Sequence, residues 1–304
     1  MDIGQRIAPF RLTHHHLLGA GYLSSTYAIE DCMAFKAPII YGNDIAATEE
    51  QTEQTVESSR AFSREKDAYD IINRNPHANI LQSILHCHEG TFLPRMWLSL
   101  DDWMKGGMSC ATPLSTRLRW VTELVSAVAH LEQLGLVHGD IRPANTLLDH
   151  RLRLKLAEFD SCIRIGQPCV ASTIPFHDGV EDIASHRTEQ FAVGSFIYCV
   201  FRGIEPEFQL TGETLQEENF PNVTSLLGKD IILKCWNKEY ESVAALNEEV
   251  MGMVAAAMPY TSPSFMDRHH LSSGTQILTE ETIQQLRLKC LEFRRSHSDL
   301  PNGV

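Results

Sequence analysis

Apolar side chains between residues 115 and 135 return every three or four positions, at Leu118, Val121, Val125, Val128 and Leu131. This spacing lines one face of an α-helix and predicts Ser115 as its N-cap and Gly135 as its stop. Elsewhere the period is two. Residues 27–29 and 32–36 flank Glu30-Asp31 in the manner of a hairpin. Residues 146–148 and 152–156 read as two more strands joined by a turn. In the second of these, leucines alternate with Arg153 and Lys155, so one face is expected to be buried. Residues 44–60 are acidic and polar, which predicts an exposed loop or loose helix. Phe191, Gly194, Ile197, Tyr198 and Phe201 mark a helix, residues 231–236 and 243–253 two more, and residues 280–295 a last amphipathic helix before a frayed tail.

Composition narrows the picture. Of the 304 residues, 43% are hydrophobic and 21% charged, as in an ordinary globular protein. The net charge of -13 argues against nucleic acid or an anionic membrane as a partner, since both call for basic surface. The eight cysteines form no C-x-x-C pair, a pattern of packed thiols in a reducing compartment rather than of disulfides or zinc. His14, His15 and His16 read as a polar loop tip. No apolar run approaches the ~20 residues of a membrane span, and the N-terminus lacks the build of a signal peptide. The expectation is a monomeric protein of the cytoplasm or nucleus.

The candidate chemistry centres on His138-Gly139-Asp140-Ile141-Arg142-Pro143-Ala144-Asn145, a loop between two apolar strands. An aspartate and an asparagine five residues apart suit phosphoryl transfer: the first orients or deprotonates a hydroxyl, and the amide oxygen of the second holds a metal on nucleotide phosphates. His138 reads as a packed structural residue. Gly19 and Gly21 would let backbone amides approach phosphates closely. Glu65 shares a helical face with Phe62, Tyr69 and Ile72, and a carboxylate among apolar neighbours needs a cation. Lys36 is its natural partner.

These motifs resemble those of the protein kinase superfamily. Residues 138–145 resemble the catalytic loop H-R-D-x-x-x-x-N, with Gly139 replacing the arginine. Gly19-Ala20-Gly21 resembles the start of G-x-G-x-x-G, with Ser24 at the third glycine, and Ala34-Phe35-Lys36 resembles A-x-K of the third strand. The runs 154–160 and Lys234-Cys235-Trp236 are similar to kinase-like proteins of filamentous fungi. The resemblance covers roughly residues 12–255. It implies an α+β bilobal fold: an extension at 1–11, a small antiparallel-sheet N-lobe with one helix at 12–96, a mainly helical C-lobe at 97–258, and a C-terminal helical extension and tail at 259–304. It further implies ATP with magnesium, or manganese in its place, between the lobes, and an adenine-contacting hinge near residues 92–96. Gly19, Gly21, Ser24, Ala34, Lys36 and Glu65 would serve the nucleotide. Asn145, Glu158 and Asp160 would serve the metal, and Asp140 and Arg142 the catalysis. Arg142 stands where Ser/Thr kinases carry a lysine facing the γ-phosphate.

Three departures matter. Glu158 occupies the place of the D-F-G aspartate, and a carboxylate one methylene longer disturbs octahedral magnesium geometry. Asp160 shares strand parity with Glu158 if that strand continues, and would then substitute as a ligand. Glu189 stands where kinases usually carry an aspartate bracing the catalytic loop. Gly139 removes the arginine that pairs with a phosphorylated activation loop. Three functions compete: a protein kinase acting on Ser/Thr, a pseudokinase serving as an interaction scaffold for a protein partner, and a small-molecule phosphotransferase of the aminoglycoside- or choline-kinase-like type. The last type also uses H-G-D-x-x-x-x-N.

Overall fold

The computed structural model describes residues 10, 17–42, 47–171, 173–208, 220–258 and 277–297. The histidine run at 14–16, the extension at 1–11 apart from Phe10, and the tail beyond residue 297 lie outside them. The fold is mixed α and β with antiparallel sheets, in two compact units. One comprises residues 1–76, 81–95 and 277–304, and the other residues 77–80 and 96–276. No helix among the described residues is long and apolar enough to cross a membrane.

The first unit is built on a five-stranded antiparallel sheet in the order β1-β2-β3-β5-β4. Its strands are β1 (Leu17–Ala20), β2 (Ser24–Ile29), β3 (Met33–Pro38), β4 (Leu85–Cys87) and β5 (Gly90–Pro94). Strand alternation divides β3 between two faces. Met33, Phe35 and Ala37 join a core with Phe10, Phe92, Cys290 and Phe293, whereas Ala34 and Lys36 point the other way. Phe35 and Phe92 pack with tilted rings, centroids 4.7 Å apart, and Phe293 meets Phe92 at 6.0 Å. Phe293 comes from the last helix, α7 (Glu280–His297), which covers this face of the sheet. Polar ties seat that helix: Arg287 donates to the Ile84 carbonyl at 3.0 Å, and Arg294 pairs with Glu89 at 2.9 Å.

The polar run at 44–60 is for the most part regular helix. From residue 49 it forms the first turns of α1 (Glu49–Ile72), started by a capping box in which Thr48 accepts from the Gln51 amide and Gln51 from that of Thr48. The apolar pattern is faint there because only Ser58, Ala61, Glu65, Ala68, Tyr69 and Ile72 of this long helix are buried. Propensity and cap outweigh the missing stripe.

The second unit holds β6 (Leu98–Ser99), β7 (Leu136–Val137), β8 (Thr146–Leu148), β9 (Leu154–Leu156) and β10 (Ile163–Arg164), paired as β6-β8-β9 and β7-β10. Its helices are α2 (Leu100–Lys105), α3 (Leu114–Gln133), α4 (His186–Arg202), α5 (Lys229–Trp236) and α6 (Val243–Ala257). Helix α3 begins at Leu114 behind Pro113, so Ser115 lies inside the first turn instead of capping it. Proline serves at a helix start because its missing N–H is not needed there. Strand β9 starts later than the alternation suggested, since Leu152 has left-handed backbone (φ 57°) in the turn. The two basic residues near it are not solvated either. Arg153 pairs with the buried Glu123 at 3.0 Å, and Lys155 donates to the Ala78 carbonyl at 2.8 Å.

Candidate active site

Strand β3 carries the basic member of a buried ion pair. Lys36 Nζ lies 2.9 Å from Glu65 Oε1, with residue exposures of 3% and 1%. Glu65 sits on the α1 face shared with Tyr69 and Ile72, as its spacing required. Strand β5 packs closely beside β3 at this point. A Cβ on Gly90 would stand 2.3 Å from the Lys36 carbonyl oxygen and 2.6 Å from the Phe35 ring, so no larger residue fits. The pairing Lys36↔Thr91 that demands this glycine is long-range and left no local mark in the sequence.

Ala34 is buried on the Lys36 face, opposite Leu93. Phe92, within the expected hinge, belongs to the aromatic core on the other face, which removes its side chain from any nucleotide role. Gly19 lies in β1, and the Gly21 amide donates to the Ser24 carbonyl at 2.9 Å across the turn into β2. A Cβ at Gly19 would meet nothing within 4 Å, and one at Gly21 only Ser24 O at 3.8 Å. Gln54 of α1 donates to the Tyr22 carbonyl and anchors the turn.

The second unit contains the loop 138–145 whole. His138 is fully buried: Nε2 donates to the Ala157 carbonyl at 2.8 Å, and Nδ1 accepts from the Asp140 amide at 3.2 Å. Burial depresses its pKa, so the ring is neutral and structural. Gly139 has φ +79°, and a Cβ there would lie 2.7 Å from the Ser161 carbonyl oxygen. Glycine at this position is therefore a steric requirement of this backbone. Glu189, near the start of α4, accepts from the His138 amide at 2.8 Å and the Gly139 amide at 3.2 Å. Burial pushes its carboxyl up to about 7 against the pull of those two bonds, with Glu132 and Asp140 adding to the rise.

The two oxygens of Asp140 differ in their surroundings. Oδ2 accepts from Asn145 Nδ2 at 2.7 Å and lies 3.1 Å from Arg142 Nε. Oδ1 is buried and has no hydrogen-bond partner. Asp140 also lines a small pocket, together with Gly139, Thr173, Phe176, His177 and Glu189 among others. Asn145 also donates to the Asp140 carbonyl at 2.8 Å, which fixes its amide orientation.

The expected parity of Glu158 and Asp160 does not hold. Strand β9 ends at Leu156, Glu158 adopts left-handed backbone (φ 64°, ψ 69°), and residues Phe159–Ser161 form a 3-10 turn containing Asp160. Asp160 accepts from the Ser161 hydroxyl at 3.3 Å. Both carboxylates, with Asp140, act electrostatically on His138, but no group of three or more His, Cys, Asp or Glu side chains gathers at metal-binding spacing among the described residues. The donors on offer are all oxygen, as hard cations require, and magnesium is commonly held by one or two carboxylates plus substrate phosphates.

Comparison with known proteins finds partial likeness to protein kinases. The chain is 43% identical over 53 residues to the serine/threonine-protein kinase mrck-1 of Caenorhabditis elegans, covering 17% of this chain and 3% of that protein. It is 35% identical over 103 residues to CBL-interacting protein kinase 22 of Oryza sativa subsp. japonica, covering 32% and 22%. It is 35% identical over 106 residues to U-box domain-containing protein 33 of Arabidopsis thaliana, covering 31% and 12%. The chain thus spans less than a quarter of the length of each of these relatives. No family model matches it.

Proposed function

We propose that this protein is a divergent, bilobal kinase-like enzyme that transfers the γ-phosphoryl group of ATP to serine or threonine hydroxyls of proteins. The observation that carries this reading is the Asp140 carboxylate, with Oδ2 held by Asn145 and Arg142 and Oδ1 buried without a partner, on a residue that lines a small pocket. An acceptor left unpaired in the interior is costly, and an incoming hydroxyl satisfies it. That hydroxyl donates to Oδ1, its oxygen forms the new bond to phosphorus, and the bond to the bridging oxygen of ADP breaks. The proton passes to Asp140 and then to solvent.

On this reading Lys36, held by Glu65, binds the α- and β-phosphates. Gly19, Gly21 and Ser24 offer backbone amides, Ala34 leaves room for adenine, and Arg142 lends charge near the γ-phosphate. Magnesium or manganese would be held by Asn145, Glu158 and Asp160, and supplies neutralisation of phosphate charge. The partial likeness to serine/threonine-protein kinases favours a protein acceptor over an aminoglycoside or choline.

One observation favours a second reading, a scaffold with weak nucleotide binding: the position expected to hold metal carries the longer carboxylate of Glu158. ATP titration with magnesium and with manganese, followed by transfer of labelled γ-phosphate to generic protein, aminoglycoside and choline acceptors, separates the readings. The expected result is label on protein that disappears in Asp140→Asn while ATP binding stays. Label on the small molecules alone, or none on any acceptor, overturns the protein-kinase assignment.

A further inference from the structure

Helix α1 is tied to the sheet at a second point, about 12 Å along its axis from Glu65. Glu65, Tyr69 and Asn73 follow at intervals of four residues and so run down one face of the helix. Asn73 is the C-cap, its amide donating to the Tyr69 carbonyl at 2.8 Å. Its side chain leaves the helix: Nδ2 donates to Ser83 Oγ at 2.8 Å and to the Ser83 carbonyl at 3.3 Å. Ser83 Oγ lies 2.8 Å from His86 Nε2, and the other imidazole nitrogen, Nδ1, lies 2.9 Å from Thr91 Oγ1. Thr91 is fully buried and stands opposite Lys36 in the β3–β5 ladder, so the two side chains share a face.

These contacts close a circuit. It runs from Lys36 to Glu65 through the ion pair, down α1 to Asn73, through Ser83 and His86 to Thr91, and back across the ladder to Lys36. A helix pinned at one point can pivot; pinned at two, it moves only by breaking one of them. The segment carrying Ser83 and His86 is held in turn from the α7 side, where Gln82 accepts from the Leu278 amide at 2.8 Å and the Ile84 carbonyl accepts from Arg287. His86 is the member that spans the gap, with the Tyr69 ring against it at 5.6 Å between centroids. Burial pulls its pKa down to about 4; Asp70 opposes this, while Lys66 and Arg287 add to it. The imidazole is therefore uncharged near neutral pH, with one nitrogen donating and the other accepting, which suits a bridge between two hydroxyls.

We propose that His86 is a positioning residue for Lys36: it bridges the α1 C-cap to the strand residue beside that lysine, and so holds Glu65 and Lys36 in register before any nucleotide arrives. The nucleotide role rests on the phosphotransfer reading above; the bridge rests on the contacts alone. His86 touches no reacting atom in that reading and acts only through Thr91 and α1. Its loss strands two buried hydroxyls, which changes an equilibrium by about tenfold.

The test compares wild type with His86→Leu, Thr91→Val and Thr91→Ser, each confirmed folded by its melting transition and studied well below it. Amide hydrogen exchange is read at residues 69–73, and ATP is titrated with magnesium and with manganese. Steady-state transfer then gives the KM for ATP and for a protein acceptor. In His86→Leu and Thr91→Val, exchange at residues 69–73 should accelerate about tenfold and ATP should bind about tenfold more weakly, with the KM for acceptor unchanged. Thr91→Ser keeps the hydroxyl and should restore most of both. Exchange that does not change in His86→Leu overturns the bridge. Faster exchange with unaltered ATP affinity, or an equal rise in both KM values, overturns the positioning role. If His86→Leu does not fold, Thr91→Val set against Thr91→Ser decides, since valine copies the shape of threonine and removes only the hydroxyl. A wild type that binds no ATP with either metal sinks the phosphotransfer reading and the positioning role with it, and the exchange measurement still decides the bridge.

Discussion

Lys36 and Glu65 meet at 2.9 Å in a place that water scarcely reaches, joining strand β3 to helix α1 across 29 residues of sequence. Removing either partner strands a buried charge, which costs roughly 3–5 kcal/mol. Lys36→Ala and Glu65→Ala should each lower urea stability by that order, and the double variant should lose less than the two losses combined. On the proposed function, ATP affinity should fall in all three. Additive losses of stability would show that the pair is not coupled.

The contact between Gly139 and the Ser161 carbonyl makes a different kind of claim. Restoring the arginine of the kinase pattern by Gly139→Arg should not rescue regulation. It should destabilise the protein, because the backbone is left-handed and a Cβ would sit 2.7 Å from that oxygen. Gly139→Ala should share most of the loss, about 2 kcal/mol or more. Chemical denaturation of both variants measures it. A neutral Gly139→Ala would mean that the loop relaxes freely.

Glu189 gives the catalytic loop a pH dependence. Its folded pKa, pushed up to about 7, exceeds the ordinary 4.5, so the native state binds this proton more tightly than the unfolded chain does. The stabilisation from that proton is full below about pH 4.5 and is lost as pH rises through about 7, a change of roughly 3 kcal/mol. Glu189→Gln removes the titration but leaves one acceptor for the two backbone amides, so it should be less stable than wild type near pH 5 and show no such fall up to pH 8.5. Urea midpoints across that range decide the matter, and parallel curves would mean the carboxylate does not titrate there.

What the sequence disclosed divides by range. The Lys36–Glu65 pair was legible because burial on a helical face forces a charge to find a partner, and only one strand lysine fitted the motif. Helix periods at α3, α4 and α7 were legible for the same local reason. Which sheet face α7 covers was not, since the seating of Phe293 and Cys290 against Phe35 depends on contacts across most of the chain. Gly90 was missed because its requirement comes from strand neighbours distant in sequence. The strand-parity argument for Asp160 failed because the backbone turns over at Glu158, a left-handed residue whose type gave no warning.

That turnover at Glu158 also supplies the test that separates enzyme from scaffold. A non-glycine residue in left-handed backbone costs about 1 kcal/mol or more, and aspartate tolerates the region better than glutamate. Glu158→Asp should therefore hold or slightly raise thermal stability. It also shortens the side chain by the methylene that burdens an octahedral site, so phosphotransfer should rise, or its preference should move from manganese toward magnesium. Asp140→Asn should abolish transfer and leave ATP affinity nearly intact, because the carboxylate acts on the acceptor hydroxyl and not on the nucleotide. The two variants together are decisive. If wild type binds no ATP with either metal, and Glu158→Asp gains neither binding nor transfer, then Asp140 and Asn145 are kept together by the fold alone. The buried Oδ1 would then be the residue of a lost reaction, and the chain would act through its surface.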